Sequence, residues 1–270
     1  MMTTPDTPER IKSCCAAAYD DDLVALVLGE SYHPGGAALT RRLAERAGVR
    51  PNGRVLDVAA GPGGTALLLA REYGARVDGI DLGERTTARA RATAEAAGLA
   101  ERVSFHRADA ERLPFPDATF DTVICECALC TFPDKSTAAA EIARVLRPGG
   151  HAGITDITAD HDRLDPVLTG LTGWIACLAD ARTTAGYTTL LTSAGLRVST
   201  TESHDDALTA MIDQIDARLR ALRMTPAGRH IDPAATAAAI AAARTAVTIG
   251  TLGYALLSAR KPGSGDSANG

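Results

Sequence analysis

Residues 124 to 135 read ICECALCTFPDK, which places Cys125, Cys127 and Cys130 within six positions of a chain that carries six cysteines in all. Thiols at this spacing can ligate a metal, exchange with a disulfide, or pack as small hydrophobes. A structural zinc site usually draws four ligands from two separated knuckles, and no matching Cys-x-x-Cys or His pair occurs elsewhere. Cys127 and Cys130 also lack the usual placement of a redox pair, at a helix start after the first strands of a thioredoxin-like fold. No metal is therefore expected, and buried packing stands beside a pocket-lining role.

A second constellation is Val55-Leu56-Asp57-Val58-Ala59-Ala60-Gly61-Pro62-Gly63-Gly64, an apolar strand that runs into a glycine turn and opens a helix. Glycine serves such a turn because its backbone reaches unusual dihedrals and approaches a ligand closely. The next apolar run ends in Ile80-Asp81, and an acid at that place can accept hydrogen bonds from ribose hydroxyls.

These residues need a frame to hold them. From Gly53 onward, strand-like runs at Arg54–Val58, Arg76–Ile80, Val103–Arg107, Thr122–Cys125, His151–Thr155 and Arg197–Thr201 alternate with helical stretches. The runs are short and nearly unbroken in apolar character, as expected of a parallel sheet covered on both faces. Placed in this frame, Glu126 and Cys127 emerge at the carboxyl end of the fourth strand. The fold expected is α/β, a Rossmann-like doubly wound seven-stranded sheet with an antiparallel last strand.

Domain boundaries follow from pattern changes. We expect a helical cap over 1–50, a ligand-binding core over 51–202, a helical insertion or lid over 203–250, the last core strand over 251–261 and a disordered tail over 262–270. With 270 residues, 46% of them hydrophobic, the chain can bury one large core. A net charge of −5 argues against a nucleic-acid partner. No signal peptide or membrane span is read, so a cytoplasmic monomer or homodimer without membrane contact is expected.

Four ordered motifs, VLDVAAGPGG, GIDLG, HRADAERLPFPDATFDTVIC and RVLRPGGHAGITD, carry a resemblance to class I S-adenosylmethionine-dependent methyltransferases, from about Gly53 to Arg197 and again at the last strand. The resemblance implies S-adenosylmethionine as cofactor and a small-molecule methyl acceptor. Asp57, Ala59 and Gly61 would line the methionine side, Asp81 would hold the ribose, and Asp109 with Ala110 would bracket the adenine. Gly63, Leu82 and Cys125 complete the implied cofactor set, although Cys125, still within its strand, also reads as core. Ala59 stands where many relatives have glycine, a change that a backbone contact survives if the dihedrals are ordinary.

ECALCTFPDK followed by EIARVLRPGG is similar to the corresponding stretch of arsenite methyltransferases. That likeness implies a trivalent arsenic held by Cys127, by Cys177 and by an N-terminal thiol, Cys14 or Cys15, since a soft acceptor prefers thiolates. Where those enzymes carry Tyr-Gly-Cys-Gly, this chain reads GESYHPGG. The alternatives are an oxygen, nitrogen or carbon acceptor of secondary metabolism, for which His33, Glu126 and Asp156 are candidate bases, and a non-catalytic cofactor-binding scaffold protein that kept the fold.

Overall fold

The computed structural model describes residues 7–29, 31–169, 178 and 180–263. Among the described residues, three helices precede the sheet: α1 (Pro8–Tyr19), α2 (Asp22–Leu28) and α3 (Gly36–Arg46). The alternating part runs β1 (Arg54–Val58), α4 (Gly64–Tyr73), β2 (Arg76–Asp81), α5 (Glu84–Ala96), β3 (Val103–Arg107), β4 (Phe120–Glu126), α6 (Lys135–Val145) and β5 (Leu146–Ala159). After it come α7 (Pro166–Thr169), α8 (Thr184–Ser193), β6 (Arg197–Ser203), α9 (Asp205–Arg223), α10 (Pro233–Thr248) and β7 (Leu252–Arg260).

The seven strands form one sheet in the order β3-β2-β1-β4-β5-β7-β6. β1 pairs in parallel with β2 and β4, β2 with β3, and β4 with β5, whereas β7 runs antiparallel to β5 and to β6. The architecture expected from the alternation is the one observed. Strand order reverses between β1 and β4, and the crevice outside the carboxyl ends of strands at such a point is where open α/β sheets bind ligands.

Each face of the sheet carries its own core, and the alternation of side chains along a strand decides which residue serves which face. Val55, Val77 and Ile124 pack with Leu43, Leu69 and Phe105 on one face; Leu56, Ile80 and Cys125 pack with Ile142, Leu146 and Tyr187 on the other. α3 is part of the first core, since Leu39, Leu43 and Ala44 are buried there. By contrast α1 and α2 bury no residue fully.

α9 and α10 pack on β7, and α9 reaches the N-terminal helices through Arg218, whose guanidinium donates to the Val27 carbonyl at the end of α2 (3.0 Å). No helix among the described residues is long and apolar enough to cross a membrane. Most residues of the tail expected over 262–270 lie outside the described residues. Leu43, fully buried against Gly153 of β5, tests how firmly α3 belongs to the core. Leu43→Ala is expected to lower stability by about 2–5 kcal/mol in denaturant unfolding, the cost of a cavity in a site that cannot collapse.

Candidate active site

Counting by twos along the strands sets three carboxylates on the face of Val55, Val77 and Ile124. Asp57 follows Val55, Asp81 follows Val77 and Gly79, and Glu126 follows Ile124. Each stands at or near the carboxyl end of its strand. Asp57 is flanked in register by Gly79 of β2 and Ile124 of β4, so the three acids share one floor.

Their partners differ. Asp81 accepts from the N–H of Gly61 (3.0 Å) and of Gly83 (2.8 Å), which fastens the glycine turn to the end of β2. Burial raises the Asp81 carboxyl and these backbone donors oppose the shift. Glu126 accepts from Thr65 Oγ1 of α4 (2.7 Å) and Thr40 Oγ1 of α3 (3.0 Å), and His33 Nδ1 stands 3.5 Å from its other oxygen. Asp57 is only 2% exposed, and its Oδ2 has no hydrogen-bond partner. Burial first, then the charges of Glu126 and Asp81, push this carboxyl well above the ordinary range, against a pull from the Ala66 N–H.

The turn that closes this floor carries left-handed backbone at Ala59 (φ 57), Gly61 (φ 52) and Gly63 (φ 89). At Gly61 a side chain would meet nothing within 4 Å, so the glycine serves the dihedral and leaves the backbone open to the cavity. At Gly63 a Cβ would lie 2.5 Å from Phe105 Cζ, so the glycine there serves packing as well. Ala59 does not have the ordinary dihedrals its side chain prefers, which corrects the expectation for this position. Strain of the same kind sits at Cys127 (φ 51), held by its N–H donating to the Thr155 carbonyl (2.7 Å).

Over the floor lies a cavity of about 250 Å³. Its roof comes from the chain ahead of the sheet: Lys12, Cys15 and Tyr19 of α1, then Ser31, Tyr32 and His33. Lys12 crosses the opening to bind Asp109 Oδ2 (2.7 Å) and Glu111 on the far wall. Burial pulls the Lys12 ammonium down, but the two carboxylates outweigh it and the net shift is upward. Residues 203–250 contribute nothing to the lining.

The geometry, a glycine turn and acids at the switch point of a parallel sheet, agrees with what comparison with known proteins shows. A model of the methyltransferase domain matches residues 55–150. Methyltransferase GfsG of Streptomyces halstedii is 38% identical over 60% of this chain, and the match spans 59% of GfsG. The 27-O-demethylrifamycin SV methyltransferase of Amycolatopsis mediterranei is 31% identical over 97% of this chain and 100% of its own length. The chain belongs to the S-adenosylmethionine-dependent methyltransferases. Among solved structures, the (4+2)-cyclase SpnF superposes with a TM-score of 0.76 at 27% identity, over 96% of this chain and 98% of SpnF.

The methyltransferase cofactor fits this site on two observations. The unpartnered Asp57 oxygen suits a cationic donor, and the bare Gly61 backbone leaves room for close approach. Of the residues expected to bind it, Asp57, Ala59, Gly61, Asp81, Leu82, Asp109 and Ala110 all line the cavity. Gly63 and Cys125 do not: Gly63 turns against Phe105, and Cys125 falls on the opposite face of the sheet from Asp57.

Of the expected acceptor-side residues, His33, Glu126, Cys127 and Cys15 line the cavity, whereas Cys14 is exposed. Cys177 lies outside the described residues. Asp156 is fully buried behind the wall, accepting from the Cys130 and Ile157 N–H groups (both 2.8 Å), and cannot reach an acceptor from there. Thr40, Thr65 and Lys12 were not foreseen. Thr65 follows the glycine turn directly, but nothing in the local pattern marks Thr40 or Lys12.

Removing the left-handed strain at Ala59 gives a direct test. Ala59→Gly is expected to stabilise the protein by about 1 kcal/mol in thermal or denaturant unfolding, since an L side chain in this region costs roughly 1–2 kcal/mol.

Proposed function

We propose that this methyltransferase moves the methyl group of S-adenosylmethionine to an oxygen on a small molecule of secondary metabolism, with His33 receiving the proton beside Glu126. The observation that carries this reading is the His33, Thr40, Thr65 and Glu126 cluster at the carboxyl end of β4, inside the cavity wall. A hydroxyl is a poor nucleophile while it keeps its proton, so a positioned acceptor for that proton matters to the rate.

When bound, the cofactor supplies an electrophilic methyl on a sulfonium. The chain's own part is to orient and to move charge. The turn from Ala59 to Gly64 and the side chain of Asp57 would hold the amino-acid end, Asp81 the ribose, and Asp109 with Ala110 the adenine. His33 takes the hydroxyl proton, and Glu126, fixed by Thr40 and Thr65, stabilises the imidazolium that forms. Tyr19, Tyr32 and Phe132 cover the cavity and keep water from the reacting atoms. The relative that aligns end to end is named for a demethylated oxygen on a rifamycin, which supports an oxygen acceptor here.

A second reading rests on Cys15 and Cys127, two thiols in the same lining. With a third thiol they would suit a trivalent arsenic, whose lone pair needs no base. The two readings separate experimentally. With labelled S-adenosylmethionine and a panel of hydroxylated metabolites, label is expected on oxygen, and His33→Ala or Glu126→Gln should slow turnover by about 10²–10⁴. Transfer that ignores both substitutions removes the base from the reading. For arsenic, Cys127→Ser should abolish tight arsenite binding; equal binding by wild type and variant ends that alternative. A wild type that shows no affinity for S-adenosylmethionine ends both readings.

A further inference from the structure

One carboxyl oxygen on the floor of the cavity is left without a donor. Asp57 Oδ2 is sealed from solvent and has no donor. Among the described residues, every ionisable group that faces Asp57 from the elements around it is acidic or already engaged. From β2 comes Asp81 and from β4 comes Glu126, while the buried Cys125 thiol of β4 lies on the opposite face of the sheet. α4 offers only the Ala66 N–H. His33, from the loop before α3, is turned to Glu126. Among the described residues of the lining, Lys12 is the lone lysine and there is no arginine, and Lys12 is taken by Asp109 and Glu111.

A buried carboxylate beside two others, without a cation, is unfavourable, and the ordinary resolution is to keep a proton. We propose that Asp57 is a neutral carboxylic acid in the empty protein and that the α-ammonium group of the cofactor displaces its proton on binding, so that cofactor capture releases one proton to solvent. The raised carboxyl of Asp57 agrees with this. The step conserves charge: a proton leaves the site, a fixed cation takes its place, and no bond to carbon or sulfur changes.

The sign of the pH dependence follows. The bound state favours the ionised carboxylate and the empty state the neutral acid. Affinity for ammonium-bearing ligands therefore rises with pH, by about tenfold per unit while the empty-site carboxyl stays protonated. Ligands that share the nucleoside but lack the amino acid gain nothing.

The inference rests on the methyltransferase reading of the site, and the test keeps the two apart. S-adenosylhomocysteine is titrated calorimetrically into the wild type in phosphate and in Tris at one neutral pH, and the difference in heat counts the protons exchanged. About one proton released per ligand is expected, against none for 5′-methylthioadenosine. Asp57→Asn, neutral at the same volume, should lose the release.

Heats for S-adenosylhomocysteine that show no proton exchange overturn the inference and leave the methyltransferase reading standing. So does a release that survives in Asp57→Asn. Absence of any binding by the wild type overturns both. Should the variant not fold, infrared difference spectra of the wild type decide: a protonated-carboxyl band lost on adding S-adenosylhomocysteine supports the inference, and an unchanged spectrum ends it.

Discussion

Three carboxylates on one face of one sheet, at the ends of β1, β2 and β4, are the constraint around which the remainder of the site is built. Burying acids together is costly unless each finds donors, and each has found a different kind. Asp81 takes two backbone N–H groups and so defines the path of the glycine turn. Glu126 takes hydroxyls from α3 and α4 together with an imidazole, and so ties the N-terminal helices to the sheet. Asp57 keeps a bare oxygen. The first two acids are satisfied by the protein and shape it, whereas the third is left for a ligand.

Floor and roof differ in how they are anchored. The floor belongs to strands buried on both faces, while α1 and α2 above it bury no residue fully and rest on a few polar links. Lys12 holds α1 to the far wall, Asp20 receives the Thr86 N–H (3.0 Å), and Arg218 receives α2 from behind. Segments with little buried apolar surface open at lower free energy than the core they cover. The roof is thus the part of the molecule through which a ligand can enter without disturbing the sheet.

Much of this was legible in the sequence because it follows short-range rules. Apolar runs separated by helical stretches gave the sheet, and the glycine turn with Asp57 and Asp81 gave the ligand edge. Alternation also separates neighbours: Cys125 faces the core opposite Asp57, and Glu126 faces the cavity. What escaped depends on meetings between distant segments. Thr40 reaches Glu126 across 86 residues and Lys12 reaches Asp109 across 97, and no local pattern records such pairings. Ala59 escaped for another reason, since an alanine gives no sign that its backbone is left-handed. The placement of Asp156 was misread because β5 runs on past Thr155 to Ala159, so this acid sits inside the strand, where it accepts from the N–H groups of Ile157 and of Cys130 after β4.

The charge of the lining also bears on which way the chemistry runs. Asp81, Asp109, Glu111 and Glu126 face the cavity, against Lys12 and the imidazole of His33. A cleft of one sign with low-dielectric walls concentrates ligands of the other sign. Such a cleft attracts a molecule carrying a sulfonium and an ammonium. Methyl transfer turns the sulfonium into a neutral thioether, so the walls lose part of the attraction that held the cofactor.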